Sequence, residues 1–366
     1  MAPLRFQVDE RIESAWTIPS RLYNDPAVLA HEKSRIFGRT WQLVGRLEQI
    51  ETPGAYFTCE VAGEPVVVVR DLDGTLRAFH NVCRHRAGPV AEGAGCRNVF
   101  RCAYHGWTYT LDGRLIGTPD VDGMEFFDRS TMPLPPVRVE TWERFVFVNL
   151  DIGAKPLPDF LEHIPRLTQE MHVPELYLAE KREYVIACNW KVYVDNYLEG
   201  YHIPIAHPGL MKEIDYAHYR TETWRYTSQQ HAPLRQDTGP DSVYAAAGGR
   251  GNALYFWMFP NLMLNIYPDN IQTNVILPIG HDKTLTLFEW FFAKPGTDAE
   301  LDAQKARIRR AVEFADEVQH EDIHLCEIVQ KGLQSSSYDR GRYAPKRENG
   351  LHHFHTLLQE FLSTEA

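Results

Sequence analysis

Two pairs of cysteine and histidine constrain the fold of this sequence more than any other feature. The first pair is Cys83 and His85, and the second pair, Cys102 and His105, follows sixteen residues later. Thiolates and imidazoles are the side chains that bind soft transition metals, so we expect both pairs to surround one metal centre. Short β-branched and aromatic runs surround them, separated by turn residues, which is typical of an antiparallel β domain. Both pairs are therefore expected in turns of a small β domain.

A structural zinc site is the alternative, because two cysteines and two histidines also form a common zinc ligand set. In zinc fingers, however, the second pair usually lies on a helix, with about three to five residues between the histidines. The present pattern resembles the Rieske [2Fe-2S] signature, including a Gly-Trp-x-Tyr sequence directly after the second pair. This resemblance implies that Cys83 and Cys102 hold one iron and that His85 and His105 hold the other.

Composition and charge exclude several classes of protein. The formal net charge of -11 offers no general attraction to nucleic acid or to anionic membranes. Acidic residues occupy the N-terminus where a signal peptide would need an apolar segment, and no transmembrane run of about 18 apolar residues occurs. We expect a cytoplasmic protein without nucleic-acid or membrane partners. The remaining cysteines are expected to be reduced packing residues. These are Cys59, Cys96, Cys188 and Cys326.

A second group of candidate metal ligands lies on and after a predicted helix rich in tryptophan and tyrosine. Asp195, Glu199 and His202 fall at i, i+4 and i+7, which would place them on one helix face. Pro204 is expected to break the helix, so that His207 turns back toward His202. Two imidazoles would then converge on one ion.

Two histidines invite a third, oxygen-donating ligand. The 2-His-1-carboxylate triad binds Fe(II) and leaves positions open for oxygen and substrate. An acidic segment near residue 320 offers the carboxylate as Glu321 or Asp322. The residues alone do not choose between the two.

Together these groups resemble the catalytic α subunit of a Rieske non-heme iron oxygenase, also called the ring-hydroxylating oxygenase family, over nearly the whole chain. The family motif E/D-x-x-H-x-x-x-x-H corresponds to Glu199, His202 and His207, and its late carboxylate corresponds to Asp322. The resemblance implies that His202, His207 and Asp322 bind a mononuclear Fe(II). It also implies that Glu199 bridges an iron-ligand histidine to a Rieske histidine of the neighbouring subunit. Asp195 is expected either to orient a histidine ligand or to have a structural role such as a helix N-cap.

The fold implied by the resemblance is α+β: a β-sandwich Rieske domain inserted into a helix-grip catalytic domain with an antiparallel sheet. The sequence texture predicts an entry arm, a β domain and an α+β domain. The resemblance implies that residues 1–42 are an N-terminal arm that packs with the catalytic domain, residues 43–152 the Rieske domain and residues 153–366 the catalytic domain. Helices are predicted at 20–42, 188–201 and 298–334, and strands at 255–267, 271–278 and 284–293.

The activity implied is that of a terminal oxygenase, in which electrons reach the [2Fe-2S] cluster, pass to Fe(II) and are used with O₂ to hydroxylate or N-demethylate a small substrate. No flavin or nicotinamide motif is recognisable, so NAD(P)H is expected to act only indirectly, through a separate reductase and possibly a ferredoxin. The family also implies a cyclic oligomer, most simply a homotrimer. A plain electron carrier would need only the cluster ligands, and a zinc-stabilised binding module would need neither redox metal nor oxygen.

The bridging carboxylate also bears on the substrate. Family members that hydroxylate aromatic rings usually have aspartate there, whereas glutamate in a Tyr-Leu-Glu-x-Tyr-His setting is similar to the carnitine and related quaternary-amine oxygenases. We therefore expect a betaine-like or carnitine-like quaternary amine, with an aromatic acid as the alternative. Aromatic faces attract quaternary ammonium groups, although most aromatic residues are expected to lie in the core. The candidates for a pocket are Tyr193, Tyr197, Tyr201, Tyr255, Trp257, Tyr267 and Trp290.

Overall fold

A computed structural model describes residues 4–235, 243 and 251–363, with the side chains of residues 298 and 299 excepted. The chain divides into two compact units, one formed by residues 33–160 and the other by residues 1–32 together with 161–366. The smaller unit is thus inserted into the sequence of the larger one. Among the described residues, no helix combines the length and the hydropathy needed to cross a membrane.

The smaller unit is a β-sandwich of two antiparallel sheets. In chain order its strands are β1 (Gln42–Arg46), β2 (Ala55–Val61), β3 (Glu64–Arg70), β4 (Leu76–His80), β5 (Ala94–Cys96), β6 (Val99–Arg101), β7 (Thr108–Thr110), β8 (Leu115–Gly117), β9 (Pro136–Trp142) and β10 (Phe145–Asn149). The larger sheet has the order β1-β10-β9-β4-β3-β2-β5, and the smaller sheet has the order β6-β7-β8.

Strand β3 shows how the sequence forms this sandwich. Its four consecutive valines are all fully buried. Val66 and Val68 pack into one hydrophobic core, while Val67 and Val69 pack into a second core that contains Phe100 and other residues of the smaller sheet. Because successive side chains of a strand point to opposite faces, a continuous apolar run is what a strand buried on both faces requires.

The larger unit is built on one antiparallel sheet with helices packed against it. Its strands are β11 (Leu176–Ile186), β12 (Arg220–Thr223), β13 (Thr227–Pro233), β14 (Asn252–Met258), β15 (Leu262–Ile266), β16 (Asn270–Gly280) and β17 (Lys283–Ala293), in the spatial order β11-β17-β16-β15-β14-β13-β12. The helices of the chain are α1 (Arg21–Asn24), α2 (Pro26–Arg35), α3 (Leu157–Leu161), α4 (Ile164–Leu167), α5 (Trp190–Tyr197), α6 (Ile203–Ala206), α7 (Pro208–Glu213), α8 (Asp298–Leu333) and α9 (Asn349–Ser363). All lie in the larger unit except the end of α2 and all but the last residue of α3, which fall within residues 33–160. Helix α8 packs on β11 and α5, and α5 packs on β16. The predicted long helix is confirmed as α8, and the last two predicted strands are confirmed as β16 and β17.

Two predicted elements are divided in the structure. The helix predicted over 20–42 is wrong as a single element, because α1 ends at Asn24 and β1 already begins at Gln42. Asp25 between α1 and α2 is extended, with φ -86° and ψ 117°, and the ring of the following proline disfavours helical backbone at the residue before it. The strand predicted over 255–267 is two strands, β14 and β15, that form a hairpin.

Helix α5 is shorter than predicted, and this changes the site. The Asn189 side chain caps its N-terminus by accepting a hydrogen bond from the Lys191 amide at 3.0 Å. The helix ends at Tyr197, and Gly200 follows in close contact with a ring: a Cβ at Gly200 would lie 2.7 Å from the ring of Tyr219. The predicted helix face that joins residues 195, 199 and 202 is therefore wrong, since the last two lie beyond the helix. The predicted helix break at residue 204 is also wrong, because that proline lies in the first turn of α6.

A buried ion pair joins the N-terminal segment to α5. Lys191 Nζ lies 2.6 Å from Glu32 Oε1 and 2.8 Å from Asn189 Oδ1. The second carboxylate oxygen of Glu32 accepts a hydrogen bond from the Trp190 indole at 2.8 Å. Both charged side chains are buried, and burial lowers the pKa of Lys191 while the charge of Glu32 opposes that shift. Trp190 and Lys191 thus both donate to this buried carboxylate, and Asn189 accepts a further hydrogen bond from Lys191.

Replacing only one member of this pair should destabilise the larger unit strongly. We expect Lys191→Met to lower the free energy of unfolding by about 3–5 kcal/mol, because the Glu32 carboxylate would stay buried without its cation. The double variant Glu32→Gln and Lys191→Met should recover much of that loss, since the amide oxygen at position 32 can still accept from the Trp190 indole. Urea unfolding, followed by circular dichroism, measures the free energy of unfolding of both variants. Equal losses in the single and double variants would contradict the ion-pair explanation.

Candidate metal centres and active-site cavity

The cysteine-histidine pairs of the smaller unit lie in two loops with the same backbone hydrogen bonds. The amides of Cys83 and Cys102 each donate to the carbonyl five residues later, at 2.8 and 2.9 Å. The residue four positions after each cysteine, Ala87 or Gly106, has positive φ, 59° and 72° respectively. The two cysteines thus hold equivalent positions in their loops, whereas the histidines follow them by two and by three residues. The sequence expectation that both pairs lie in turns of a β domain agrees with this geometry.

The four side chains fit a [2Fe-2S] cluster. Both thiols are only 3% exposed, and the ring centroids of His85 and His105 are 4.6 Å apart. The Nδ1 atoms of both imidazoles are buried without a hydrogen-bond partner among the described residues. Such atoms are costly unless a ligand pairs them. A Cβ at Gly88 would lie 3.1 Å from Cys102 Sγ, so this position keeps the backbone close to the sulfur.

Neighbouring groups also tune these ligands. His85 stacks on Trp107, with 4.8 Å between centroids and an interplanar angle of 11°, and His105 lies 3.7 Å from the ring of Tyr104. Burial lowers the pKa of His105, and the nearby His85 adds to this effect, so its ring is neutral and able to bind metal near pH 7. Burial raises the pKa of Cys102, so metal binding there releases a proton.

The other four cysteines have different environments. Cys188 and Cys326 are buried and Cys59 is half-buried, as expected of packing residues. Burial raises the pKa of Cys59 to about 12, which keeps it protonated. Cys96 is exposed on the edge strand β5, so its predicted packing role is wrong.

Three ligand atoms converge in the larger unit. His207 Nε2 lies 3.1 Å from His202 Nε2 and 3.0 Å from Asp322 Oδ1. His202 Nε2 and Asp322 Oδ1 are 3.7 Å apart. All three atoms can accept, so only a shared proton or a cation makes the arrangement favourable. The donor set of two imidazoles and one carboxylate fits a mononuclear Fe(II).

Further contacts point the ligand atoms of both histidines toward this centre. Glu199 Oε1 lies 2.5 Å from His202 Nδ1, and Glu321 Oε2 lies 2.6 Å from His207 Nδ1. A carboxylate at Nδ1 places the proton there and leaves the Nε2 lone pair for a metal. Burial opposes the charged form of His207, but hydrogen bonds that its ring donates to Asp322 and Glu321 raise its pKa overall. In the absence of a cation, this histidine would therefore hold a proton more readily.

Helix α8 assigns its two adjacent carboxylates to different roles, which the sequence alone did not do. Glu321 contacts the outer nitrogen of His207, whereas Asp322 points its Oδ1 toward the centre. The Asn196 amide donates to the same Oδ1 at 2.6 Å, a partner that the sequence reasoning missed. In the sequence, only its place on the helix just before the two histidines indicates that this asparagine contributes to the site.

Asp195 lies apart from these contacts. Its carboxylate accepts a hydrogen bond from Tyr23 at 2.6 Å and lies 3.1 Å from His355 Nε2. His355 in turn contacts Tyr343 at 2.6 Å through Nδ1. The N-cap of α5 is Asn189, so the N-cap alternative for Asp195 is wrong. These contacts favour a structural role for Asp195 in joining the N-terminal segment, α5 and α9.

A cavity of about 120 Å³ opens beside the three convergent atoms. The ligand residues His202, His207 and Asp322 contribute to its wall, as does Glu199. Five of the aromatic candidates line it as well. They are Tyr193, Tyr197, Tyr255, Tyr267 and Trp290. The other two do not line it: Tyr201 is 58% exposed and Trp257 is fully buried.

Amide side chains of the sheet also line this cavity, and the sequence reasoning missed them. Five residues on neighbouring strands pair directly with one another and form a row across the sheet. In order from β13 to β17 they are Gln230, Tyr255, Asn265, Gln272 and Trp290. Asparagine is uncommon in strands, so alternating polar residues in an otherwise apolar strand signal a functional face. Such alternation is present at Asn270, Gln272 and Asn274, all of which line the cavity.

Models of known protein families match segments of both units. A model described as "Rieske [2Fe-2S] domain" matches residues 40–135, and a model described as "Ring hydroxylating alpha subunit (catalytic domain)" matches residues 174–364. The second match covers more than half of the chain. This protein belongs to the Rieske non-heme iron oxygenase family. As a member, this oxygenase holds a [2Fe-2S] cluster and a mononuclear iron and takes electrons from a reductase.

Curated relatives of this oxygenase match along almost the whole chain. Choline monooxygenase, chloroplastic, from Arabidopsis thaliana is 39% identical over 364 residues, which cover 96% of this chain and 84% of that protein. The carnitine monooxygenase oxygenase subunit of Escherichia coli strain K12 is 34% identical over 368 residues, covering 95% and 94%.

Solved structures agree with the fold of this oxygenase. The quaternary ammonium Rieske monooxygenase CntA in complex with L-carnitine has a TM-score of 0.81 at 30% identity, covering 98% of this chain and 100% of that one. Naphthalene 1,2-dioxygenase from Rhodococcus sp. also has a TM-score of 0.81, covering 97% and 96%, but only 20% identity. The second similarity therefore shows the shared fold alone.

Proposed function

We propose that this oxygenase oxidises a quaternary ammonium compound, using O₂ and electrons from a separate reductase. The observation that carries the proposal is the aromatic wall of the cavity beside the convergent ligand atoms of the larger unit. An aromatic face attracts a quaternary ammonium by up to about 2 kcal/mol when desolvated. The relatives named for choline and carnitine support the same substrate class. An aromatic acid is the alternative.

The sheet supplies the ammonium site. Tyr255 and Trp290 lie in one lateral row across the sheet, and Tyr267 follows at the end of β15. The Tyr255 and Tyr267 rings are 6.0 Å apart and nearly perpendicular, at 80°. Perpendicular rings present faces to one space from two directions, as a methylated cation requires. These side chains would bind the cationic head and hold a neighbouring C–H bond toward the ligand cluster.

We propose that His202, His207 and Asp322 hold the mononuclear iron, and that Cys83, His85, Cys102 and His105 hold the cluster. When bound, these groups supply one-electron transfer and O₂ activation. The protein's own contributions are to bind the substrate, exclude water and fix the histidine tautomers. Glu199 and Glu321 fix them through the outer ring nitrogens.

We also propose that this oxygenase forms a homotrimer in which Glu199 lies near His105 of a neighbour. Tyr104 beside His105 is 60% exposed, and Ile205, on the segment between the two ligand histidines, is 90% exposed. Exposed apolar residues next to both centres are typical of an interface. A solved structure of a similar quaternary ammonium Rieske monooxygenase gave insights into inter-subunit electron transfer in that protein.

We further propose that residues 1–42 form an N-terminal arm, residues 43–152 the Rieske domain and residues 153–366 the catalytic domain. A cytoplasmic location is also a proposal.

A substrate panel tests the proposed function. Choline, glycine betaine, carnitine, stachydrine, benzoate and phenylpropionate would be supplied under O₂ with a surrogate reductase, and products would be identified by mass spectrometry. We expect oxidised or demethylated products from at least one quaternary amine. Phenols or cis-diols from the aromatic acids, without amine turnover, would move the assignment to the alternative.

A matched pair of variants connects that turnover to the cavity. Tyr255→Leu removes one aromatic face from the cavity, and we expect KM for the amine to rise about tenfold, in keeping with the strength of a desolvated cation–π contact. Tyr338→Leu changes an exposed tyrosine outside the cavity and should leave KM unchanged. Equal effects of both variants would contradict the aromatic site.

A further inference from the structure

Two amide groups of the cavity wall each have a polar atom without a protein partner. Asn274 Oδ1 and Gln319 Nε2 are buried and make no hydrogen bond to any described residue. The two side chains are only 3% and 2% exposed, and both line the cavity beside the ligand cluster. Leaving a buried acceptor or donor unpaired costs about 1–3 kcal/mol. A group that enters the cavity can remove this cost.

Neighbouring residues fix which end of the Gln319 amide is available. The Tyr193 phenol donates to Gln319 Oε1 at 2.6 Å. Burial raises the pKa of Tyr193, so the phenol keeps its proton and remains the donor. The amide oxygen is thus occupied, and the NH₂ group is the free end. Gln319 lies three residues before Asp322 on α8, on the same helix face.

Other amides of the same wall are paired within the protein. Asn265 Oδ1 accepts from the Tyr197 phenol at 2.6 Å, and Asn265 Nδ2 donates to Gln272 at 3.4 Å. Gln230 accepts from the Tyr219 phenol at 2.7 Å and donates to a backbone carbonyl at 2.6 Å. These amides hold the wall together. Asn274 and Gln319 differ from them because each keeps one atom for a ligand.

We propose that Asn274 and Gln319 recognise a hydroxyl group of the substrate, which would make the substrate a quaternary amino alcohol. Choline and carnitine both carry such a hydroxyl, and glycine betaine does not. A hydroxyl both donates and accepts, so it can donate to Asn274 Oδ1 and accept from Gln319 Nε2. A carboxylate only accepts, and it would face the Asn274 oxygen with repulsion. The assignment rests on the proposed function, because the aromatic wall must hold the cationic head.

Binding without turnover tests this assignment. Choline and ethyltrimethylammonium carry the same cationic head, and only choline has the hydroxyl. Their affinities would be measured by isothermal titration calorimetry on the oxidised holoenzyme without a reductase. We expect choline to bind at least about tenfold more tightly, since two otherwise unpaired buried groups gain partners. Glycine betaine should bind more weakly than choline.

Variants then locate the preference. Asn274→Leu and Gln319→Met remove one free atom each at similar volume, and each should reduce the choline preference severalfold while leaving ethyltrimethylammonium binding within about threefold. Gln272→Leu, a neighbouring amide whose oxygen is already paired, is the control and should shift both ligands alike. The visible spectrum of the cluster and circular dichroism confirm that each variant is folded.

The outcomes separate the two proposals. If neither cation binds, the proposed function fails and the hydroxyl assignment fails with it. Equal binding of both cations, or tighter binding of glycine betaine than of choline, would overturn the hydroxyl assignment and leave the quaternary-ammonium function standing. The comparison of ligands on the unmodified protein decides this even if a variant does not fold.

Discussion

Anaerobically purified protein should contain about three irons and two acid-labile sulfides per chain, as expected for one [2Fe-2S] cluster and one mononuclear iron. Asp322→Ala should lose one iron, keep both sulfides and lower turnover by at least about a thousandfold. Without that carboxylate, the two histidines His202 and His207 are the only members of the triad left. His105→Ala should lose the sulfides and the visible spectrum but keep the mononuclear iron.

Inductively coupled plasma mass spectrometry measures the iron, a sulfide assay measures the acid-labile sulfide, and the visible spectrum reports the cluster. Turnover is measured separately with a reductase. Asp316→Asn is a suitable control, because Asp316 lies on the same helix and accepts from Tyr184 away from the ligand cluster. It should keep all three irons. Stoichiometric zinc without sulfide in the unmodified protein would contradict the assignment of both centres.

Mixed oligomers of two inactive variants should recover activity. A His105→Ala chain keeps its iron ligands, and an Asp322→Ala chain keeps its cluster ligands. In the proposed trimer, a junction works when an intact cluster site faces an intact iron site on the next chain. Every trimer that contains both chains has this arrangement at one of its three junctions, so we expect purified mixed trimers to have about a third of the activity of the unmodified protein.

Coexpression with two different affinity tags and sequential purification yields oligomers that contain both chains. The two variants mixed after separate purification, without subunit exchange, serve as the control and should stay inactive. Inactive mixed oligomers that contain both chains and both metals would show that the centres do not cooperate between subunits.

The two cysteine-histidine loops could be predicted from the sequence because their signal is local. Short spacings within each pair and the turn residues around them determine two equivalent loops, as the matching hydrogen bonds of Cys83 and Cys102 show. The β texture is equally local, since four valines of one strand can only be buried on both faces. The fold class implied by the resemblance is confirmed for the same reason.

The site in the larger unit was less predictable, because its decisive contacts join residues distant in sequence. Glu321 and Asp322 are adjacent and chemically similar, and only the orientation of α8 relative to His207 separates their contacts. Asp195 falls at helical spacing from Glu199, yet the helix ends between them, and Gly200 beyond it packs against a tyrosine ring. The spacing of residues within one segment does not predict a contact with a distant residue.

The free amide atoms illustrate a further limit. Asn274 and Asn265 occupy the same sheet face, so the sequence pattern treats them alike. Their difference arises from one phenol: Tyr197 reaches Asn265 from α5, and no described residue donates to Asn274 Oδ1. The proposed recognition of a hydroxyl therefore depends on which amides the surrounding helices leave unpaired.

The buried ion pair of Glu32 and Lys191 limits how this chain can be divided. Glu32 is the last residue of the N-terminal part of the larger unit, immediately before the inserted β-sandwich begins. Its partner Lys191 lies in the first turn of α5, the helix that carries Asn196, and Asn196 donates to the candidate ligand Asp322. A gene fragment that starts after the sandwich would lack this carboxylate and leave an ammonium group buried without a counter-ion. A protein engineer who wants the catalytic unit alone would have to join residue 32 to residue 161 through a linker instead of truncating the chain.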